Sequence, residues 1–126
     1  MRMVAVVLAA LSFAAQAAVS PPGVENPKDT LAASQKHAAE KRKSARQICL
    51  GRPVQERAIC RDEFNAAYKQ DLAAAQAAFD KALPAWQSAV AQANKAYRAE
   101  AARCKKLPAD QRDACAKTND EKYNAK

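Results

Sequence analysis

The residues with the clearest chemical potential are four cysteines arranged in two copies of one Cys-x10-Cys spacing, Cys49 to Cys60 and Cys104 to Cys115. Each copy carries a proline four positions after its first cysteine, Pro53 or Pro108, and an arginine three positions before its second, Arg57 or Arg112. Thiols can join as disulfides, hold a metal or cycle between redox states. Structural zinc sites place cysteines about two to four residues apart, and reactive dithiols use Cys-x-x-Cys, so this spacing favours neither. Disulfides are the expectation. Local pairing, Cys49–Cys60 and Cys104–Cys115, would use a single helix-turn-helix clip twice. The alternative joins Cys60 to Cys104 and Cys49 to Cys115, since both pairs are centred on residue 82. That topology requires the chain to reverse at Leu83-Pro84, whereas the local repeat needs no such coincidence, and local pairing is preferred.

Little else has the makings of a reaction centre. His37 is the only histidine and lies among Lys36, Lys41 and Arg42, with Glu40 the one nearby carboxylate to orient it. The pairs Asp62-Glu63 and Asp120-Glu121 are adjacent on predicted helices, so their side chains diverge by about 100° and do not share a proton or a sugar. A hydrolase needs a nucleophile, an activating base and an orienting group, and no such set is recognisable. The expectation is a non-enzymatic protein with no catalytic residue, metal site or cofactor.

Binding is better represented. The chain has a formal net charge of +8, and its densest positive patch is Lys36, Lys41, Arg42, Lys43 and Arg46. Such a patch can grip phosphate, anionic lipid or an acidic protein, and acidic envelope components are expected partners. Aromatic side chains that could stack on bases are absent from it, which argues against nucleic acid. For a membrane surface, Leu31 and Ile48 are the only large apolar residues beside it. Most such patches are simply solvated helix faces.

The elements that must position these groups are helices. Phe64, Tyr68, Leu72, Ala75, Phe79, Leu83, Trp86, Val90, Ala93, Tyr97, Ala101 and Cys104 follow one another in steps of three or four that average about 3.6, one stripe down one helical face. Pro84 interrupts neither the stripe nor its phase, so one bent helix over 53–104 is predicted. Before it, Leu31, Ala38, Ala45 and Ile48 mark a helix over 29–50, capped by Asp29 or Thr30 and followed by Gly51 in a left-handed conformation. After it, a short helix over 108–123 is expected, with Asp113 and Lys117 paired one turn apart. No strand pattern is visible. The predicted fold is all-α: one long central helix, coiled-coil-like, with a shorter antiparallel helix clipped back at each end. Such a stripe is usually core. Should the short helices cover only its ends, Leu72, Phe79, Leu83, Trp86 and Val90 would remain open as a surface for a protein partner or for self-association.

The chain begins like an export signal: Arg2, an apolar run from Val4 to Ala15 and an Ala15-Gln16-Ala17 cleavage pattern. Residues 1–17 are therefore read as a signal peptide, 18–28, rich in Pro21, Pro22, Gly23 and Pro27, as a disordered tether, and 29–126 as a single clipped domain. The apolar run falls short of the ~20 residues needed to span a bilayer, and no second run follows. A periplasmic or secreted location is expected.

The clip with its alanine-rich flanks, Ala45 to Cys60 and Ala101 to Ala116, resembles a loose group of small exported bacterial proteins that are alanine-rich and helical, sometimes labelled cell-envelope proteins. The resemblance implies an envelope location and no particular activity. Glu56-x-x-Ile59-Cys60, Tyr68 and Arg112-Asp113-x-Cys115 resemble the periplasmic lysozyme-inhibitor-like family, which would imply inhibition of an envelope-attacking enzyme. A basic inhibitor meeting a basic lysozyme would be repelled. The preferred expectation is an envelope structural, interaction or chaperone-like module.

Overall fold

A computed structural model describes residues 19–125; the expected signal peptide lies outside them. Three helices follow in order: α1 over Pro27–Leu50, α2 over Arg57–Lys105 and α3 over Ala109–Tyr123, with a single 3-10 turn at Val54–Glu56 leading into α2. No strand is present among the described residues. The long helix passes through Pro84 without reversing, and its 49 residues correspond to about 74 Å at 1.5 Å per residue. Both disulfides are local, Cys49–Cys60 and Cys104–Cys115, with Cα atoms 5.7 and 5.5 Å apart.

Each short helix runs antiparallel to α2 from its disulfide. Along α1, Cys49 meets Cys60, Arg42 lies over the Tyr68 ring at 4.8 Å, and Lys41 reaches Asp71 at 3.0 Å. Pro27 and Leu31 share a hollow with Ala75, Phe79 and Ala82. Along α3, Cys115 meets Cys104, Asn119 Nδ2 donates to the Tyr97 carbonyl at 3.1 Å, and Tyr123 packs edge-on against Tyr97.

The repeated sequence is a repeated structure, bond for bond. Pro53 and Pro108 hold nearly the same extended conformation, φ −51°, ψ 145° and φ −53°, ψ 150°, as the fixed proline φ dictates. Their carbonyls accept from the Glu56 and Gln111 amides, both at 2.9 Å. Arg52 and Leu107, each preceding a proline and so disfavoured in a helix, donate back to Cys49 and Cys104 carbonyls at 3.1 Å. The conserved spacing of arginine has the same explanation in both copies. Arg57 Nε donates to the Arg52 carbonyl at 2.9 Å and Arg112 Nε to the Leu107 carbonyl at 2.8 Å, tying the next helix to the turn.

Several local expectations are corrected. Asn26, rather than Asp29 or Thr30, caps α1, its Oδ1 accepting from the Lys28 amide at 3.0 Å with Pro27 in the first turn. Gly51 is right-handed, φ −75°, ψ −8°; the left-handed cap belongs to Asn124, φ 47°, at the end of α3. There the Ala125 amide donates to the Asp120 carbonyl at 3.0 Å, closing the last turn. Lys117 lies 3.9 Å from Glu121 rather than beside Asp113.

The largest departure precedes α1. Where a disordered tether over 18–28 was expected, Val19 and Pro21 are buried, the Ser20 amide donates to the Tyr123 carbonyl at 2.9 Å, and the helix is already under way at Pro27. Val19 packs with Ala93 and Tyr123, flanked by Tyr97 and Ala125. Proline and glycine remove helical and sheet order; they do not prevent an extended segment from being held by side chains distant in sequence.

Two outcomes are expected in urea unfolding. Gly51→Ala should leave stability unchanged or raise it by about 0.4–1 kcal/mol, since its φ suits alanine and a Cβ would meet nothing nearer than the Ile48 carbonyl at 3.4 Å; a clear loss would contradict the right-handed assignment. Arg57→Ala and Arg112→Ala should each cost about 0.5–1.5 kcal/mol, and by similar amounts, because they break the same bond.

Candidate functional site

No large aliphatic side chain of α2 is fully buried. The buried apolar set among the described residues is Val19, Ala38, Ala45, Ala93, Tyr123 and the cysteines Cys49, Cys60 and Cys104. The stripe residues Leu72, Phe79, Leu83, Trp86 and Val90 are all half-buried, as are Phe64 and Tyr68. Their state follows from the architecture: a helix packed on one neighbour at a time can shield only part of a wide apolar face. Leu72 and Phe79 lie opposite α1. Leu83, Trp86 and Val90 fall between the start of α1, near Ala82, and the Val19 cluster at Ala93. The structure therefore brings the five together along one helix but leaves none of them openly exposed.

The basic patch divides in two. Lys41 and Arg42 hold α1 to α2, through Asp71 and the Tyr68 ring respectively. Lys36, Lys43 and Arg46 are exposed, and Arg46 and Lys43 border a small hollow of about 220 Å³ with Ala39, Arg42 and Tyr68.

The remaining groups are not assembled for chemistry. His37 borders a broad open hollow with Ser34, Asp29 and Asp71, yet among the described residues no hydrogen bond joins it to the serine or to a carboxylate, and Asp71 is engaged by Lys41. Glu100 lies beside the sulfurs of Cys104 and Cys115, but these are joined in a disulfide and offer no thiolate. Glu100 itself pairs with Arg103, whose hydrogen bond lowers the carboxyl's pKa from its ordinary value of 4.5.

Tyr97 is the most connected polar residue of the stripe. Its hydroxyl donates to Asp120 Oδ1 at 2.7 Å, and that hydrogen bond, followed by desolvation and the carboxylate's charge, raises its pKa. Asn119 is buried against the same residue, with Oδ1 lacking a protein partner. This network is structural: it fixes α3 on α2 just beneath the Val19 cluster.

Sequence reasoning missed a different group. Ile48, Leu50, Val54 and Ile59, aliphatic by type, are 57, 58, 72 and 64% exposed. All four surround the first clip. Aligning them with Arg103, Lys105, Ala109 and Ala114 of the second clip would have shown that the clip does not require apolar residues there.

No protein-family model, curated protein or solved structure matches the chain. The functional reading rests on the geometry alone.

Because a raised tyrosine pKa means that folding favours the protonated hydroxyl, its contribution is present below pH 10 and lost as pH rises through the higher folded value. In an alkaline titration followed by tyrosinate absorbance, the component that belongs to Tyr97 should lie above pH 10, the ordinary tyrosine value. Tyr97→Phe should remove that component and Asp120→Asn should move it downwards; persistence of the component in Tyr97→Phe would reassign it.

Proposed function

We propose that this chain is a non-enzymatic, exported helical protein of the cell envelope that works by contact, through the half-covered stripe of α2 and the exposed cations of α1. The single observation that carries the reading is the half-burial of Leu72, Phe79, Leu83, Trp86 and Val90. A chain with few large apolar side chains would gain most by burying them within itself, at roughly 25 cal/mol for each Å² removed from water. Leaving a continuous row of them partly wet leaves that gain to be made on meeting another surface. A second copy or a protein client with a matching apolar helix would complete the burial, in the manner of helix packing along a shared seam.

Two further features support the setting. Disulfides persist in oxidising compartments such as the periplasm or the extracellular space, and no helix among the described residues is long and apolar enough to cross a membrane. Lys36, Lys43 and Arg46 would attract acidic envelope components and hasten encounter with them.

Sedimentation velocity over a range of protein concentrations tests the stripe. Reversible self-association is expected, weakened about tenfold or more by Trp86→Asp and by Val90→Asp, a cost of at least about 1.4 kcal/mol, with helicity by circular dichroism retained. Strictly monomeric behaviour at all concentrations, together with a Trp86 that acrylamide fails to quench, would remove this reading.

A further inference from the structure

The two clips share one scaffold and differ in what they display. Their turns repeat the same proline conformation, the same backbone bonds and the same arginine lock. Where the first exposes Ile48, Leu50, Val54 and Ile59, the second has Arg103, Lys105, Ala109 and Ala114, exposed likewise. Where the first has Arg46 and Arg61, the second has Ala101 and Ala116. The second clip is thus an internal control: the fold of the turn needs neither the aliphatic side chains nor these arginines. Of the large apolar side chains that are openly exposed among the described residues, all but Val24 sit at this one tip.

Leu50, Val54 and Ile59 lie on the tip side of the Cys49–Cys60 bridge together with Arg52, Glu56 and Arg57, Ile48 lies one residue behind the bridge, and Arg46 and Arg61 lie on the shaft side. Leu50 and Val54 border a hollow of about 500 Å³ with Arg46, Arg57 and Arg61. Ile48 and Ile59 each precede a bridged cysteine, which in antiparallel helices turns both to the opposite face. Aliphatic surface therefore covers both faces of a convex end, with Arg46 about one helical turn, ~6 Å, behind Leu50 and Arg61 two residues, ~3 Å, behind Ile59. Between residues 41 and 63 seven cations face three carboxylates, Glu56, which lies 3.8 Å from Arg52, and Asp62 and Glu63 on the shaft side.

We propose that the tip of the first clip docks end-on to an anionic phospholipid bilayer, its aliphatic side chains entering the headgroup boundary and Arg46 and Arg61 meeting lipid phosphates. Interfacial elements bury their apolar face roughly 5–10 Å into that boundary with basic residues at the level of the headgroups, and the rise from Leu50 to Arg46 falls in that range. A fluid surface closes around a convex end from all sides, which a rigid protein partner would have to do with a socket. A second copy is disfavoured because two ends of net positive charge repel. The surface is separate from the α2 stripe, so this inference stands whether or not the stripe self-associates.

The test uses the full chain with both disulfides formed and co-sedimentation with vesicles at about 0.15 M salt. Equimolar phosphatidylglycerol and phosphatidylcholine vesicles should bind the protein, and pure phosphatidylcholine vesicles should not. The decisive variant carries the second clip's residues, I48R/L50K/V54A/I59A. It adds two positive charges, yet should bind about tenfold or more weakly, since the entering side chains are gone. Arg46→Gln and Arg61→Gln should each weaken binding about fivefold. Circular dichroism checks that the grafted variant keeps its helicity. Unchanged or tighter binding by the grafted variant overturns the proposal, as does equal binding to neutral vesicles or none to anionic ones. Self-association lost in the grafted variant without vesicle binding would make the occupant a second copy, and binding only to an acidic protein would make it a protein socket; either result overturns the lipid assignment.

Discussion

The structure depends on a covalent constraint, the closure of each helical turn by a disulfide between cysteines eleven positions apart. Such a bridge stabilises by restricting the unfolded chain, roughly 3 kcal/mol for a loop of this size in the chain-entropy model. Here that matters more than in a well-packed domain, because the buried set among the described residues is made of alanine, cysteine, two prolines, one valine, one tyrosine and one asparagine. The arginine lock adds direction to the constraint. It returns the chain antiparallel with the same geometry at both ends of α2, so a pair of short helices can lie along a helix that has too little apolar surface to hold them by packing alone.

Much of this was legible because it depends on local rules. The stripe from Phe64 to Cys104 keeps its phase across Pro84, and a reversal there would have required a break in the periodicity; the helix is indeed continuous. The aligned Cys, Pro and Arg positions contained the repeated clip, and with it the pairing. What escaped was whatever depends on residues far apart. Val19 and Pro21 sit in a segment whose composition reads as unstructured, and only the arrival of Tyr123 gives them a place. Asp29 and Thr30 suit a cap by residue type, and only the start of α1 at Pro27 gives that position to Asn26.

The candidate site was legible in part for a similar reason. Residue type marked Leu72, Phe79, Leu83, Trp86 and Val90 as one face, but how much of it α1 and the leading segment cover is a tertiary property. Charge counting marked Lys36 to Arg46 as a unit, whereas Lys41 and Arg42 are engaged in helix packing. Ile48, Leu50, Val54 and Ile59 are aliphatic by type, yet the turn places them outside.

The bond from Ser20 to Tyr123 brings the two ends of the described chain to the flank of α2 beside Ala93. Counting back to Cys60 at 1.5 Å per residue puts that exit point about 50 Å from the first bridge. Whatever is joined to either end, whether a fused label, a solid support or another domain, would grip the molecule by its side like the handle of a lever. The long arm would then reach well clear of the attachment and the short arm would stay close to it.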